Sequence, residues 1–132
     1  MATSLLTQNN LVYKDIRASS ALTTSFVVSD IMNIQGANQV QLLVIFVKGD
    51  SNGCRLKIEY SVDQVTWYQE SMYNEIPLSN EITHNVITRK VEESGNYVLS
   101  IPVSSSYMRI WAQAIDSGNN TSLSIRATAA SI

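Results

Sequence analysis

One cysteine, Cys54, and one histidine, His84, are all the soft metal ligands and neutral-pH bases in 132 residues. An intramolecular disulfide is excluded, and a lone thiol with a lone imidazole cannot build a structural zinc site. Charge is also sparse: 15% of residues are charged, with a formal net charge of −2, against a usual fraction of ~25%. The 9 lysines and arginines are scattered from Lys14 to Arg126. Without a basic cluster to neutralise phosphates, no nucleic-acid partner is expected. No apolar run approaches the ~20 residues that cross a bilayer, so no membrane partner is expected either. Met1-Ala2-Thr3-Ser4 leads into only a few apolar residues before Gln8-Asn9-Asn10, unlike a secretory signal. The expected site of synthesis is a reducing host cytoplasm. Glycine-rich phosphate loops are missing too.

What is present is β-rich. The chain length fits one domain with a core that needs no staples, read as a polar N-terminal arm over 1–10 and one domain over 11–132. In Cys54–Glu70, Leu56, Ile58 and Tyr60 alternate with Arg55, Lys57 and Glu59, the period of a half-buried strand. Ser61-Val62-Asp63-Gln64 supplies a turn, and Val65-Thr66-Trp67-Tyr68 resumes a β-branched and aromatic run. Val40–Val47 is the most hydrophobic segment and predicts a central strand covered on both faces. Leu11–Arg17, Leu22–Val28, Ile82–Val91 and Tyr97–Ile101 read as further strands, the last confined by Pro102. Met72, Tyr73, Ile76, Pro77 and Leu78 suggest a long loop crossing between sheets. Met108, Ile110, Ala112 and Ala114 share one face of a late strand; Leu123, Ile125, Ala127 and Ala129 share one face of the next. Turn clusters recur about every ten residues. The pattern predicts an all-β, antiparallel, jelly-roll-like β-sandwich of eight or nine strands.

Catalysis needs convergent titratable groups, and few are available. His84 reads as a surface or strand-edge residue, and Cys54 as an inert small residue, since nothing local pairs the two. Glu59 with Asp63, or Glu92 with Glu93, sit in turn contexts that suit solvated carboxylates better than a glycosidase pair. Asp50 and Asp116 lack the spaced carboxylates of a calcium loop. No enzyme activity and no cofactor are expected. Aromatic residues carry the remaining functional signal, because such rings anchor interfaces and stack on sugars. Trp67, in phase with Val65, is expected in the core. Trp111 shares its face with Tyr107, Arg109 and Gln113, opposite the apolar set. Either a loop covers it or it contacts a partner. Trp111, Arg109, Tyr107, Tyr68 and Tyr73 are the candidate contact residues.

Ile58–Tyr68, with its Ser61-Val62-Asp63 turn and Trp67, resembles a hairpin of small β-sandwich proteins in tailed-bacteriophage virions. Tyr107–Ala112 and Leu123–Ala127 are similar to their late strands. The resemblance implies a capsid decoration or other accessory protein of the virion, often a trimer, binding the major capsid protein or another virion protein. It brings no catalytic residues. The same hairpin also resembles carbohydrate-binding sandwiches, which implies the alternative of a glycan-binding module of a phage tail or fibre, or of a secreted protein.

Overall fold

The computed structural model describes residues 10–131, and among them the regular structure is entirely strand. In chain order the strands are β1 (Asn10–Ala21), β2 (Val27–Val28), β3 (Met32–Asn33), β4 (Gln39–Val47), β5 (Cys54–Ser61) and β6 (Tyr68–Gln69). They continue with β7 (Ser71–Glu75), β8 (Ile82–Val86), β9 (Arg89–Val91), β10 (Gly95–Ile101), β11 (Tyr107–Ala114) and β12 (Ser122–Ser131). The excess over eight or nine comes from β2, β3, β6 and β9, pieces of two or three residues. A period-2 pattern cannot register so few residues. The expected arm over 1–10 lies outside the described residues except for Asn10, which already begins β1.

Two sheets form the sandwich. One has the order β1-β12-β4-β10; the other has β2-β11-β5-β6, with β3 also on β11 and β9 also on β5. The pairings are antiparallel. Between the sheets lies a core of Leu42, Val44 and Phe46 from β4, Leu56 and Ile58 from β5, and Met108 and Ile110 from β11. Leu123 and Ile125 from β12 complete its centre. Burying each such side chain contributes about 1.5–3 kcal/mol. Ala112 and Ala114 near the end of β11, and Ala127 and Ala129 near the far end of β12, are all buried, small side chains in the space between the layers.

Several expectations need correction. β1 runs from Asn10 to Ala21, past the expected Arg17, because register shifts against β12 let it bend and continue. Of Leu22–Val28, only Val27–Val28 is strand; Leu22 is buried but Thr24 and Val28 are exposed. β4 is central in its sheet, yet only one face is covered: Ile45 is 51% exposed and Val47 46%. β11 and β12 lie in different sheets, as no expectation had specified, and their connection crosses from one layer to the other. The Lys48–Gly53 turn makes the same crossing between β4 and β5.

Those two crossings are locked together. The Asp116 carboxylate accepts from the Ser51 hydroxyl at 2.9 Å and the Asn52 amide at 2.8 Å. Asp50 N–H donates to Asn119 O at 3.1 Å, and the Thr121 hydroxyl donates to Lys48 O at 2.7 Å. Gly49 adopts φ +56, and a Cβ there would strike the Asn119 and Asn120 backbone. Glycine is required by both the conformation and the space.

The expected loop over Ser71–Glu81 is instead a hairpin. β7 and β8 pair only with each other, from Ser71↔Val86 to Glu75↔Ile82. The expected strand Ile82–Val91 is split accordingly: β8 belongs to this hairpin and β9 returns to β5. Every residue of β7 and β8 is exposed.

Candidate interaction surfaces

The outer face of the β11-β5 sheet is built by register. Arg109 lies opposite Glu59, Trp111 opposite Lys57, and Gln113 opposite Arg55. Alternation turns all six side chains away from the core, half-buried beside one another. Arg109 Nε donates to Glu59 Oε1 at 2.8 Å, and the Trp111 indole N–H donates to the same oxygen. The guanidinium of Arg109 stands 4.1 Å from the Trp67 ring centroid and 5.2 Å from that of Trp111. The Lys57 ammonium stands 5.3 Å from Trp111 and 4.3 Å from Phe26. Rings and cations thus alternate as Trp67, Arg109, Trp111, Lys57, Phe26, each contact within cation–π range.

Trp67 is therefore not in the core. Val65, the residue it was expected to follow inward, is 80% exposed. After Ser61 the chain turns through Gln64 at φ 62, which breaks the period-2 phase, and Trp67 lands on Arg109. Asp63 makes this turn: its Oδ1 accepts from the Val65 amide at 2.9 Å and the Thr66 amide at 3.0 Å. These bonds, Thr66 first, hold its carboxyl below the usual range.

The other contact candidates separate into places of different character. Tyr107 is half-buried at the start of β11, opposite Asn33 and Ser61. Tyr68 is 64% exposed on β6, with its backbone opposite Tyr60. Tyr73 is 60% exposed on the projecting hairpin, its ring 6.0 Å from that of His84. Trp111, Arg109 and Tyr107 thus share one strand, while Tyr73 is on a separate element. Cys54 is wholly buried at the start of β5, where desolvation pushes its thiol up to about 11. His84 sits in the open on β8.

A clamp at the hairpin root escaped the sequence reading. Glu70, 8% exposed, follows β6. Its carboxylate accepts from Arg89 Nε at 3.1 Å and Nη2 at 2.7 Å, a bidentate pair. The Glu70 amide donates to Ile58 O, the Ile87 amide donates to Glu70 O, and the Gln69 side chain donates to Ile87 O. The Glu70 carboxylate, chiefly through its hydrogen bond, raises the Arg89 guanidinium above its ordinary range. Beyond the clamp the hairpin exposes Met72, Tyr73, Ile76, Leu78, Ile82 and Val86. Only the apolar content of Met72, Tyr73, Ile76 and Leu78 signalled this in the sequence, and a loop carries the same signal.

With these surfaces described, the fold is that of a two-sheet antiparallel sandwich carrying a side hairpin. It is similar to the crystal structure of SPBc2 prophage-derived protein YomS, with a TM-score of 0.53 at 5% identity. The similarity covers 92% of this chain and 94% of that one. No protein-family model matches the sequence, and no curated protein does. Among the described residues, no helix is long and apolar enough to cross a membrane.

Proposed function

We propose that this chain is a non-enzymatic structural protein of a bacteriophage virion, a capsid decoration or cement protein acting by surface burial. The observation that carries the reading is the clamped, fully exposed hairpin with its large apolar side chains on a phage-type sandwich. A lone two-stranded hairpin is marginal in water, and exposed apolar clusters mark contact sites. Holding such an arm ready at a part-buried ion pair lowers the entropy lost on docking. The fold likeness to a prophage-derived protein over nearly the whole of both chains supports the phage assignment. The homo-oligomer, with a trimer as the preferred order, and the major capsid protein as partner belong to this proposal. Many weak copies on a shell would gain by avidity.

The glycan-binding alternative needs an open aromatic platform. Arg109 and Lys57 both stand within cation–π range of the Trp111 ring, which makes that ring less open to a sugar and favours the structural reading. Size-exclusion chromatography with light scattering on the full chain, beside a glycan-retention assay, tests the choice. A discrete oligomer that ignores glycans is expected; a strict monomer retained on immobilised glycans overturns the reading.

A further inference from the structure

The hairpin and the outer face of the β11-β5 sheet are complementary in charge. From Ser71 to Val86 the hairpin carries Glu75 and Glu81 and no lysine or arginine. The sheet face carries Arg55, Lys57 and Arg109 against one carboxylate, Glu59, which is already held by Arg109 and Trp111. Arg55 reaches only Gln113, at 3.5 Å. Among the described residues neither Arg55 nor Lys57 has a carboxylate within ion-pair distance. Arg55 also lies directly opposite Lys90 of β9, a like-charged cross-strand pair of the kind that destabilises a sheet. Lys90 is relieved only by exposed Glu92 at 3.8 Å. A sheet face that leaves Arg55 and Lys57 without a carboxylate is suited to an incoming anion. Val28, 38% exposed and opposite Trp111, rims this face with apolar surface.

The hairpin does not cover that face in its own chain. β6 and β9 lie along the same edge of β5, and the hairpin leaves the sheet between them. All of its strand residues remain exposed. We infer that the β7–β8 arm of one copy docks on the outer β11-β5 face of a second copy, with Glu75 and Glu81 meeting Arg55, Lys57 and Lys90. The inference rests on the assembly reading above and names its contact. The competing acceptor is the uncovered β4 face, with Leu43, Ile45 and Val47. Its neighbouring charges are Arg126 and Asp15, which neutralise each other at 2.6 Å, and Arg17, whose guanidinium donates to the carbonyls of Leu123, Ser20 and Ala21, so it offers the arm's carboxylates less than the row of Arg55, Lys57 and Lys90.

The test is light scattering over a concentration series on the full chain and on two reversals, Glu75→Lys with Glu81→Lys, and Arg55→Glu with Lys57→Glu. Both glutamates are exposed, so the arm reversal leaves the sandwich folded, as near-ultraviolet circular dichroism would verify. Each reversal should weaken self-association by about 100-fold or more at low salt, and mixing the two should restore mixed oligomers. Ile45→Ser, on the competing face, should change nothing. An oligomer that survives the arm reversal, or that Ile45→Ser dissolves, overturns the arm contact while leaving the assembly reading standing. A wild-type monomer that still binds phage shells has the same consequence. A monomer that binds no shell overturns both.

Discussion

Glu59 holds two partners with one oxygen, the guanidinium of Arg109 and the indole N–H of Trp111. With both ion-pair partners roughly one-fifth exposed, Glu59→Ala should cost about 1–2 kcal/mol. Glu59→Gln, which keeps an acceptor for the indole, should cost less; urea unfolding followed by tryptophan fluorescence gives the order. Alternation alone placed Glu59, Lys57 and Arg55 on one face of a strand, and that placement is observed. What it could not supply was the register that sets Arg109 and Trp111 opposite them, because strand pairing is nonlocal. Trp67 failed for a local reason: the positive-φ Gln64 inserts a half-step that no hydrophobic pattern announces. Titration follows from the same neighbourhoods. Desolvation raises the Cys54 thiol to about 11 and the Tyr60 hydroxyl to about 12. A raised folded-state value favours the protonated, folded form. Stability from these two groups is therefore complete below their ordinary values of 9.0 and 10.0 and lost as pH climbs toward 11 and 12. Melting temperature should fall from about pH 9 upward, and Cys54→Ser should remove the first part of that fall. At the acid end, Asp63 and Asp116 are lowered by backbone hydrogen bonds from Thr66 and Asn52. Their contribution is present above the ordinary carboxylate range and lost below about pH 4.

β5 is the best-read element, since its apolar alternation was long enough to fix which residues enter the core. Ile58, 1% exposed between β11 and the opposite sheet, should cost about 2–5 kcal/mol when cut to alanine, measurable as a shift in the urea midpoint at constant slope. β4 was half-read. Its unbroken apolar run looks the same whether one face or two are covered, and the second cover, if Leu43, Ile45 and Val47 have one, is not part of this chain's described fold. The β7–β8 hairpin was misread because its apolar residues show neither clean alternation nor a tight two-residue turn. Its stability should depend on the root. Glu70→Ala leaves Arg89 part-buried without its partner and should cost about 2 kcal/mol, less than the 3–5 of a fully buried pair. Hydrogen exchange should show Ser71–Val86 losing protection ahead of β11 and β12.

At the scale of the whole molecule, the two crossings β4 to β5 and β11 to β12 tie the layers together through Asp116, Ser51 and Asn52. The sequence marked both as turn clusters, and its fold class was legible from them together with the alternating strands. Which strands share a sheet was not, since a turn rich in Gly and Asn serves a hairpin and a layer crossing equally well. The working surface was partly legible: Trp111 and Arg109 were singled out, while the acidic arm and its ion-pair root depend on contacts between distant segments. A sandwich that turns one cationic face and one acidic apolar arm outward is suited to contacts with further copies and partners. The central claim of the proposed function is that these contacts serve a virion. Quantitative mass spectrometry of purified particles encoded by the same genome tests it most directly. The account predicts this chain in many copies per particle, in fixed ratio to the major shell protein. Its absence from particles whose infected cells contain it would contradict the account.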